Sequence, residues 1–207
     1  MPSLGRLHLI TDTRPGCDPL GVVRAALTKA RADLVVQVRV EDSATDREAY
    51  ELTRAVLALC TSYGATCLVN DRLHVALAAG AAGGHVGADD LPVTAARHVL
   101  GPTGVLGATA REPRSAVDAV VAGANYLGVG PCHTTSTKPG LPDPIGPDGV
   151  RAVADAVDVP VIAIGGVTAA RVPALLTAGA YGVAVVGAIS TAADPARATA
   201  ELLRALA

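Results

Sequence analysis

Tryptophan and phenylalanine are both missing from the 207 residues, and four tyrosines make up the whole aromatic share of 2%. So few rings leave no stacking platform for single-stranded nucleic acid. An excess of positive charge is missing too. The 17 Lys and Arg against 19 Asp and Glu leave a net charge of −2, which excludes a general nucleic-acid binder. No apolar run approaches the ~20 residues of a membrane span, so no membrane partner is expected. Residues 1–6 lead straight into a strand-like stretch without the pattern of a secretory signal. The four cysteines, Cys17, Cys60, Cys67 and Cys132, show no C-x-x-C spacing. They read as small buried hydrophobes in a reducing, cytoplasmic setting. Cys132 lies inside a polar loop and keeps a second reading as an accessible thiol.

What is present is a regular alternation. Half of the residues are hydrophobic, enough for a sizeable core. Short β-branched runs at 7–11, 34–39, 66–69, 84–86, 104–107, 126–129, 161–164 and 182–186 read as strands. Helical stretches separate them at about 19–31, 46–63, 72–79, 92–100, 113–122, 147–157 and 169–178, and a last one runs over 195–206. Strands alternating with helices imply a parallel sheet covered by helices, and eight such units imply closure. The expected fold is α/β, a single (β/α)8 TIM barrel spanning 1–207. An open doubly wound sheet is the alternative, weakened because no glycine fingerprint follows the first strand. Ala79-Gly80-Ala81, Ala122-Gly123-Ala124 and Ala178-Gly179-Ala180 recur as helix-ending tags before a new strand.

In such a barrel, chemistry belongs at the carboxyl ends of the strands. Gly165-Gly166-Val167-Thr168 follows the seventh strand and Gly187-Ala188-Ile189-Ser190 the eighth. Glycines there let backbone N–H groups approach an anion, so both segments are candidate phosphate binders rather than plain turns. Asn70-Asp71-Arg72 follows the third strand and Asp89-Asp90 the fourth. Carboxylates on neighbouring strands suit Mg2+, which takes one or two of them with water and substrate oxygens. Helix capping is the competing reading for Asp71 and Asp90. The long loop from 130 to 147 carries Thr134, Thr135, Ser136, Thr137 and Lys138, a hydroxyl-and-lysine set that suits a phosphate or diphosphate clamp. On the second strand, period two puts Gln37, Arg39 and Glu41 on one face.

Taken together, these residues resemble the thiamine phosphate synthase family over nearly the whole chain. The likeness rests on Leu7-His8-Leu9-Ile10-Thr11-Asp12, Asn70-Asp71-Arg72, Gly84-His85-Val86-Gly87 leading to Asp89-Asp90-Leu91-Pro92, Val129-Gly130-Pro131, Thr135-Ser136-Thr137-Lys138-Pro139, Ala163-Ile164-Gly165-Gly166-Val167 and Val185-Val186. The resemblance implies a transferase of thiamine biosynthesis. Such an enzyme joins hydroxymethylpyrimidine diphosphate to a thiazole phosphate and releases pyrophosphate. It implies Mg2+ on Asp71 and Asp90. It implies that Gln37, Arg39, Asn70, Thr109 and Lys138 grip the pyrimidine diphosphate, with Arg39 and Lys138 as the catalytic cations. Thr135, Thr137, Gly166 and the Val186-Gly187 backbone would hold the thiazole phosphate. Partners would be small phosphorylated molecules, and a homo-oligomer is compatible with the sequence.

The chain departs from the family pattern in places. Glu41 stands where a lysine is usual, Ala88 where glutamine is usual, Thr109 for a serine and Gly187 for a serine. An inward Glu41 would oppose a diphosphate, since a charge at 4 Å is worth about 4 kcal/mol at an effective dielectric of 20. Two alternatives follow. One is a thiazole tautomerase using a histidine acid/base, although Arg111 stands where that histidine is expected after the fifth strand, leaving His85 or His133 to substitute. The other is a non-catalytic thiazole-phosphate-binding paralogue. His8, His74 and His98 read as structural or surface residues.

Overall fold

The computed structural model describes residues 4–135 and 140–207. Eight strands close into an all-parallel barrel in chain order: β1 Leu7–Ile10, β2 Leu34–Val38, β3 Thr66–Asn70, β4 Gly83–Val86, β5 Val105–Ala110, β6 Tyr126–Val129, β7 Val161–Ile164 and β8 Gly182–Val185. Closure is direct, because β1 pairs with β2 on one side and β8 on the other, His8 lying opposite both Val35 and Ala184. The helices α1 Pro19–Ala30, α2 Asp46–Tyr63, α3 Leu73–Ala79, α4 Val93–Leu100, α5 Pro113–Val121, α6 Gly146–Ala154, α7 Val172–Thr177, α8 Gly187–Ser190 and α9 Pro195–Leu206 connect and cover the strands. The expected (β/α)8 barrel is therefore the fold.

Strand alternation sorts the apolar side chains into two layers. Ile10, Val35, Leu68, Val105, Tyr126, Ile162 and Ala184 pack inside the barrel. Their strand neighbours Leu9, Val36, Cys67, Leu127, Ala163 and Val185 face the helices. Both strand faces are buried, which is why these segments read as continuous β-branched runs. α2 shows how a covering helix is specified. Thr45 and Glu48 form a reciprocal capping box, buried Ala49, Thr53, Val56 and Cys60 recur at helical spacing, and left-handed Gly64 ends it.

The three Ala-Gly-Ala tags share one geometry. In each, the glycine N–H and the following alanine N–H bond back into the helix: Gly80 to Leu77 and Ala81 to Ala76, Gly123 to Val120 and Ala124 to Ala119, Gly179 to Leu176 and Ala180 to Leu175. The glycines have φ of 76°, 109° and 91°, values that a side chain would strain.

Several boundaries differ from the sequence reading. β5 runs on to Ala110, so Thr109 lies within a strand. The 169–178 stretch opens as a 3-10 turn over Ala169–Arg171 before α7, with Pro173 in the first helical turn. The segment after β8, read as a candidate phosphate binder with a plain turn as the alternative, forms the short α8. Among the described residues, no helix is long and apolar enough to cross a membrane.

Candidate functional site

At the carboxyl ends of the strands the barrel opens into a cleft of about 800 Å³. β2 brings the first side chains to it. Gln37 is buried and faces inward, and its Nε2 donates to Asn70 Oδ1 at 2.7 Å. β2 ends at Val38, and Thr11 takes over the positioning of Arg39: the Thr11 hydroxyl donates to the Arg39 carbonyl at 2.7 Å and accepts from its N–H at 2.8 Å. Arg39 thus lines the cleft. The alternation expected to carry Glu41 to the same inner face stops with the strand. Glu41 instead sits at the rim, its side chain 38% exposed, with Oε1 3.4 Å from the Arg39 guanidinium. The strong inward charge conflict expected of it is corrected accordingly, since solvent screens a half-exposed pair.

β3 and β4 supply the carboxylates. Asn70 ends β3, and its Nδ2 donates to Asp71 Oδ2. Asp71 has a left-handed φ of 57°, and its N–H bonds the His85 carbonyl at 2.8 Å. Asp90 Oδ2 accepts from the Gly87 N–H at 2.9 Å within the β4–α4 loop. Neither aspartate caps a helix, because α3 and α4 begin after Arg72 and Pro92. The capping reading of both is thereby overturned, and both carboxylates line the cleft. Among the described residues there is no cluster of three or more His, Cys, Asp or Glu able to hold a metal. Two hard oxygen donors in one cleft are nonetheless a donor set that fits Mg2+, which needs no more from protein. Arg72, the third residue of that motif, points elsewhere and pairs with Asp46 of α2 at 2.9 Å.

The floor is a set of polar rings. His85 Nδ1 lies 3.1 Å from the Tyr126 hydroxyl and His85 Nε2 lies 3.0 Å from Thr109 Oγ1. The His8 ring meets Tyr126 edge-on, with centroids 5.3 Å apart. Two glycines make this packing possible. A Cβ on Gly107 would fall 2.2 Å from Tyr126 Cζ, and one on Gly128 would fall 2.9 Å from His85 Cε1. Burial keeps both histidines neutral. Desolvation pushes His8 down to about 3, with His85 adding to the effect, and desolvation pushes His85 down to about 4 against an opposing pull from Asp90. Sequence reading treated His8 as structural or surface and missed Tyr126. The inward parity of β1 and the glycines at 107 and 128 were the available signals.

The opposite wall is backbone. Gly165 and Gly166 turn with φ of 94° and 60°, and a Cβ on Gly166 would meet the Thr134 carbonyl at 2.6 Å. Arg171 donates to the Gly166 carbonyl and lines the cleft with Arg111. Val186 and Gly187 border the cleft where α8 begins, and Thr135 reaches it from the β6–α6 loop. Thr137 and Lys138, with Ser136 and Pro139, lie outside the described residues. Cys132 is only 1% exposed, its thiol donating to the Val129 carbonyl and pushed up to about 11 by burial, so the accessible-thiol reading is overturned. Thus Gln37, Arg39, Asn70, Asp71, Asp90, Thr109, Thr135, Gly166, Val186 and Gly187 all share one mouth of the barrel.

Comparison with known proteins identifies the family. Residues 7–189 match the family described as thiamine monophosphate synthase. The thiamine-phosphate synthase of Salinispora arenicola is 73% identical over 206 residues, an alignment spanning 100% of this chain and 99% of that protein. Its counterpart from Salinispora tropica is 71% identical over 206 residues, with the same coverage of 100% and 99%. Among solved structures, a thiamine phosphate pyrophosphorylase from Pyrococcus furiosus superposes with a TM-score of 0.87 at 33% identity, covering 97% of this chain and 95% of that one.

Proposed function

The chain belongs to the thiamine monophosphate synthase family, and on that premise we propose that it joins hydroxymethylpyrimidine diphosphate to a thiazole phosphate, giving thiamine phosphate and pyrophosphate. The observation that carries this reading is the gathering, in one cleft, of the Asp71 and Asp90 carboxylates, the Arg39 guanidinium, the Gln37 and Asn70 amides, the Gly165-Gly166 turn and the Val186-Gly187 start of α8.

In the reaction, the bond between the pyrimidine methylene carbon and the diphosphate oxygen breaks, and the thiazole nitrogen forms the new carbon–nitrogen bond. Charge moves onto the leaving group, so the chain must hold that group and stabilise it. Arg39, fixed by Thr11, meets the diphosphate at the rim. The Gln37–Asn70 pair orients the pyrimidine side, and Thr109, anchored on His85, adds a hydroxyl. Asp71 and Asp90 would hold Mg2+, which when bound neutralises charge on the departing pyrophosphate. Across the cleft, the backbone N–H groups of Gly166, Val186 and Gly187 with Thr135 take the thiazole phosphate. The family resemblance adds Thr137 to that phosphate and Lys138 to the diphosphate as the second catalytic cation. No general base is needed, which fits a floor whose histidines are buried, neutral and, for His85, already bonded to two hydroxyls. Small phosphorylated molecules are its partners in this reading, and the cytoplasm its setting.

The test is direct. Purified protein with both substrates and Mg2+ should release pyrophosphate and form thiamine phosphate in equal amounts, and chelation of the metal should stop both. No product at saturating substrate and Mg2+ would overturn the proposal.

A further inference from the structure

His8 is 1% exposed, yet it lines the floor of the cleft. Its Nε2 has no hydrogen-bond partner among the described residues. Such an atom is costly to bury empty, and each one calls for an explanation. Gly5, at the amino end of β1, offers the ring a backbone hydrogen bond, and with Nε2 unpartnered we assign that contact and the proton to Nδ1. In the neutral ring Nε2 is then a bare acceptor. The Tyr126 hydroxyl is taken by His85, and Ile10, Ile162 and Ala184 surround the floor with hydrocarbon.

We infer that His8 is a specificity-determining residue of the cleft, whose Nε2 accepts a hydrogen bond from the amino group on the pyrimidine ring of the diphosphate substrate. The inference rests on the function proposed above. Depth and chemistry both select this ligand. The carboxylates and phosphate-binding turns occupy the rim, while His8 lies on the strand below Ile10, whose register partner is Gln37. A substrate whose diphosphate sits at the rim carries its ring down to that level. An acceptor must meet a donor: an aminopyrimidine offers N–H, whereas a thiazole ring nitrogen offers only a lone pair. A site built to accept from an N–H rejects an analogue without it, because the acceptor is then left dry.

The experiment compares the pyrimidine diphosphate with its analogue bearing hydrogen in place of the amino group. Wild-type protein should prefer the amino substrate in kcat/KM by at least about tenfold. His8→Phe keeps the ring's shape and should bring that preference close to one while leaving KM for the thiazole phosphate unchanged. His8→Gln restores an acceptor near the Nε2 position and should recover most of the preference. A readout on unmutated protein stands beside these variants. With 15N-labelled histidine, the His8 Nε2 resonance should move on adding the pyrimidine diphosphate and stay in place on adding the thiazole phosphate. If wild-type protein makes no thiamine phosphate, the functional reading itself fails. If turnover is intact but His8→Phe keeps the full preference, or the Nε2 resonance ignores the pyrimidine, the His8 inference fails alone.

Discussion

At the scale of single residues, the chain's departure at Glu41 shows how much depends on where a strand stops. Period two puts 37, 39 and 41 on one face, and Gln37 obeys it. Past Val38 no ladder enforces the alternation, and hydroxyls from the β1 end hold the chain instead: Thr11 on Arg39, and Thr13 accepting from the Glu41 N–H at 3.1 Å. With Arg39 on the diphosphate, as proposed, Glu41 would act on substrate through it, as a half-exposed competitor for its guanidinium. Exposed pairs of this kind are worth about 0.2–1 kcal/mol, far below the value for an interior charge. Glu41→Lys should therefore lower KM for the pyrimidine diphosphate by a moderate factor, about threefold to fivefold, with kcat little changed. Most of that gain should vanish near 1 M salt, where screening acts within about 3 Å. Steady-state kinetics at two ionic strengths check both parts, and an unchanged KM at low salt would mean that the carboxylate does not reach the diphosphate's field.

At the scale of elements, the long periodic helices and the eight strands were legible because each satisfies several local rules at once, as α2 does with its cap, its stripe and its terminal glycine. What escaped was short or set by packing. α8 has only four residues, too few for any helical period to show. The extension of β5 to Ala110 comes from pairing with β6, where Thr109 and Ala110 lie opposite Gly128 and Val129. The candidate site was legible as motifs, whereas its ringed floor was not, because Gly107 and Gly128 read as weak strand residues until Tyr126 and His85 fill the space they leave. Gly107→Ala should cost at least about 1–3 kcal/mol, as an added methylene in a packed core does. Urea unfolding should show a lower midpoint at an unchanged slope, and an unaltered midpoint would mean that the rings move aside freely. Gly166→Ala faces both a left-handed φ of 60° and the Thr134 carbonyl at 2.6 Å. It should raise KM for the thiazole phosphate about tenfold or more, since displacing one charge-assisted backbone donor costs on the order of 1.5–3 kcal/mol. KM for the pyrimidine diphosphate should change much less, and an equal rise in both would assign the turn a general structural role.

At the scale of the whole molecule, a barrel that closes over two uncharged imidazoles ties its stability to pH. His8 and His85 hold their ring protons far less readily than free histidine, down to about 3 and about 4, because burial penalises the cation. The unfolded chain binds those protons near the ordinary value of about 6.5, so it is the unfolded state that acid favours. Their contribution is therefore complete above about pH 6.5 and declines as pH falls toward 4, at up to about 1.4 kcal/mol per pH unit for each ring. Asp12 acts in the same direction at lower pH. Its pairing with Arg14 holds the carboxyl down to about 2, so that share is present above pH 4 and is lost as the pH falls through 2. Between pH 6.5 and 5 the carboxylate stays charged in both states, and the two rings dominate the slope. Urea unfolding of the wild type across that window should show stability falling with acid, at a slope that steepens from about one proton near pH 6.5 toward two near pH 5. His8→Phe removes one of the two titrating rings and should fall about half as steeply, whatever its absolute stability at pH 7. Equal slopes in the two proteins would mean that His8 takes up a proton in the folded barrel as readily as in the unfolded chain, against the burial that holds its ring neutral.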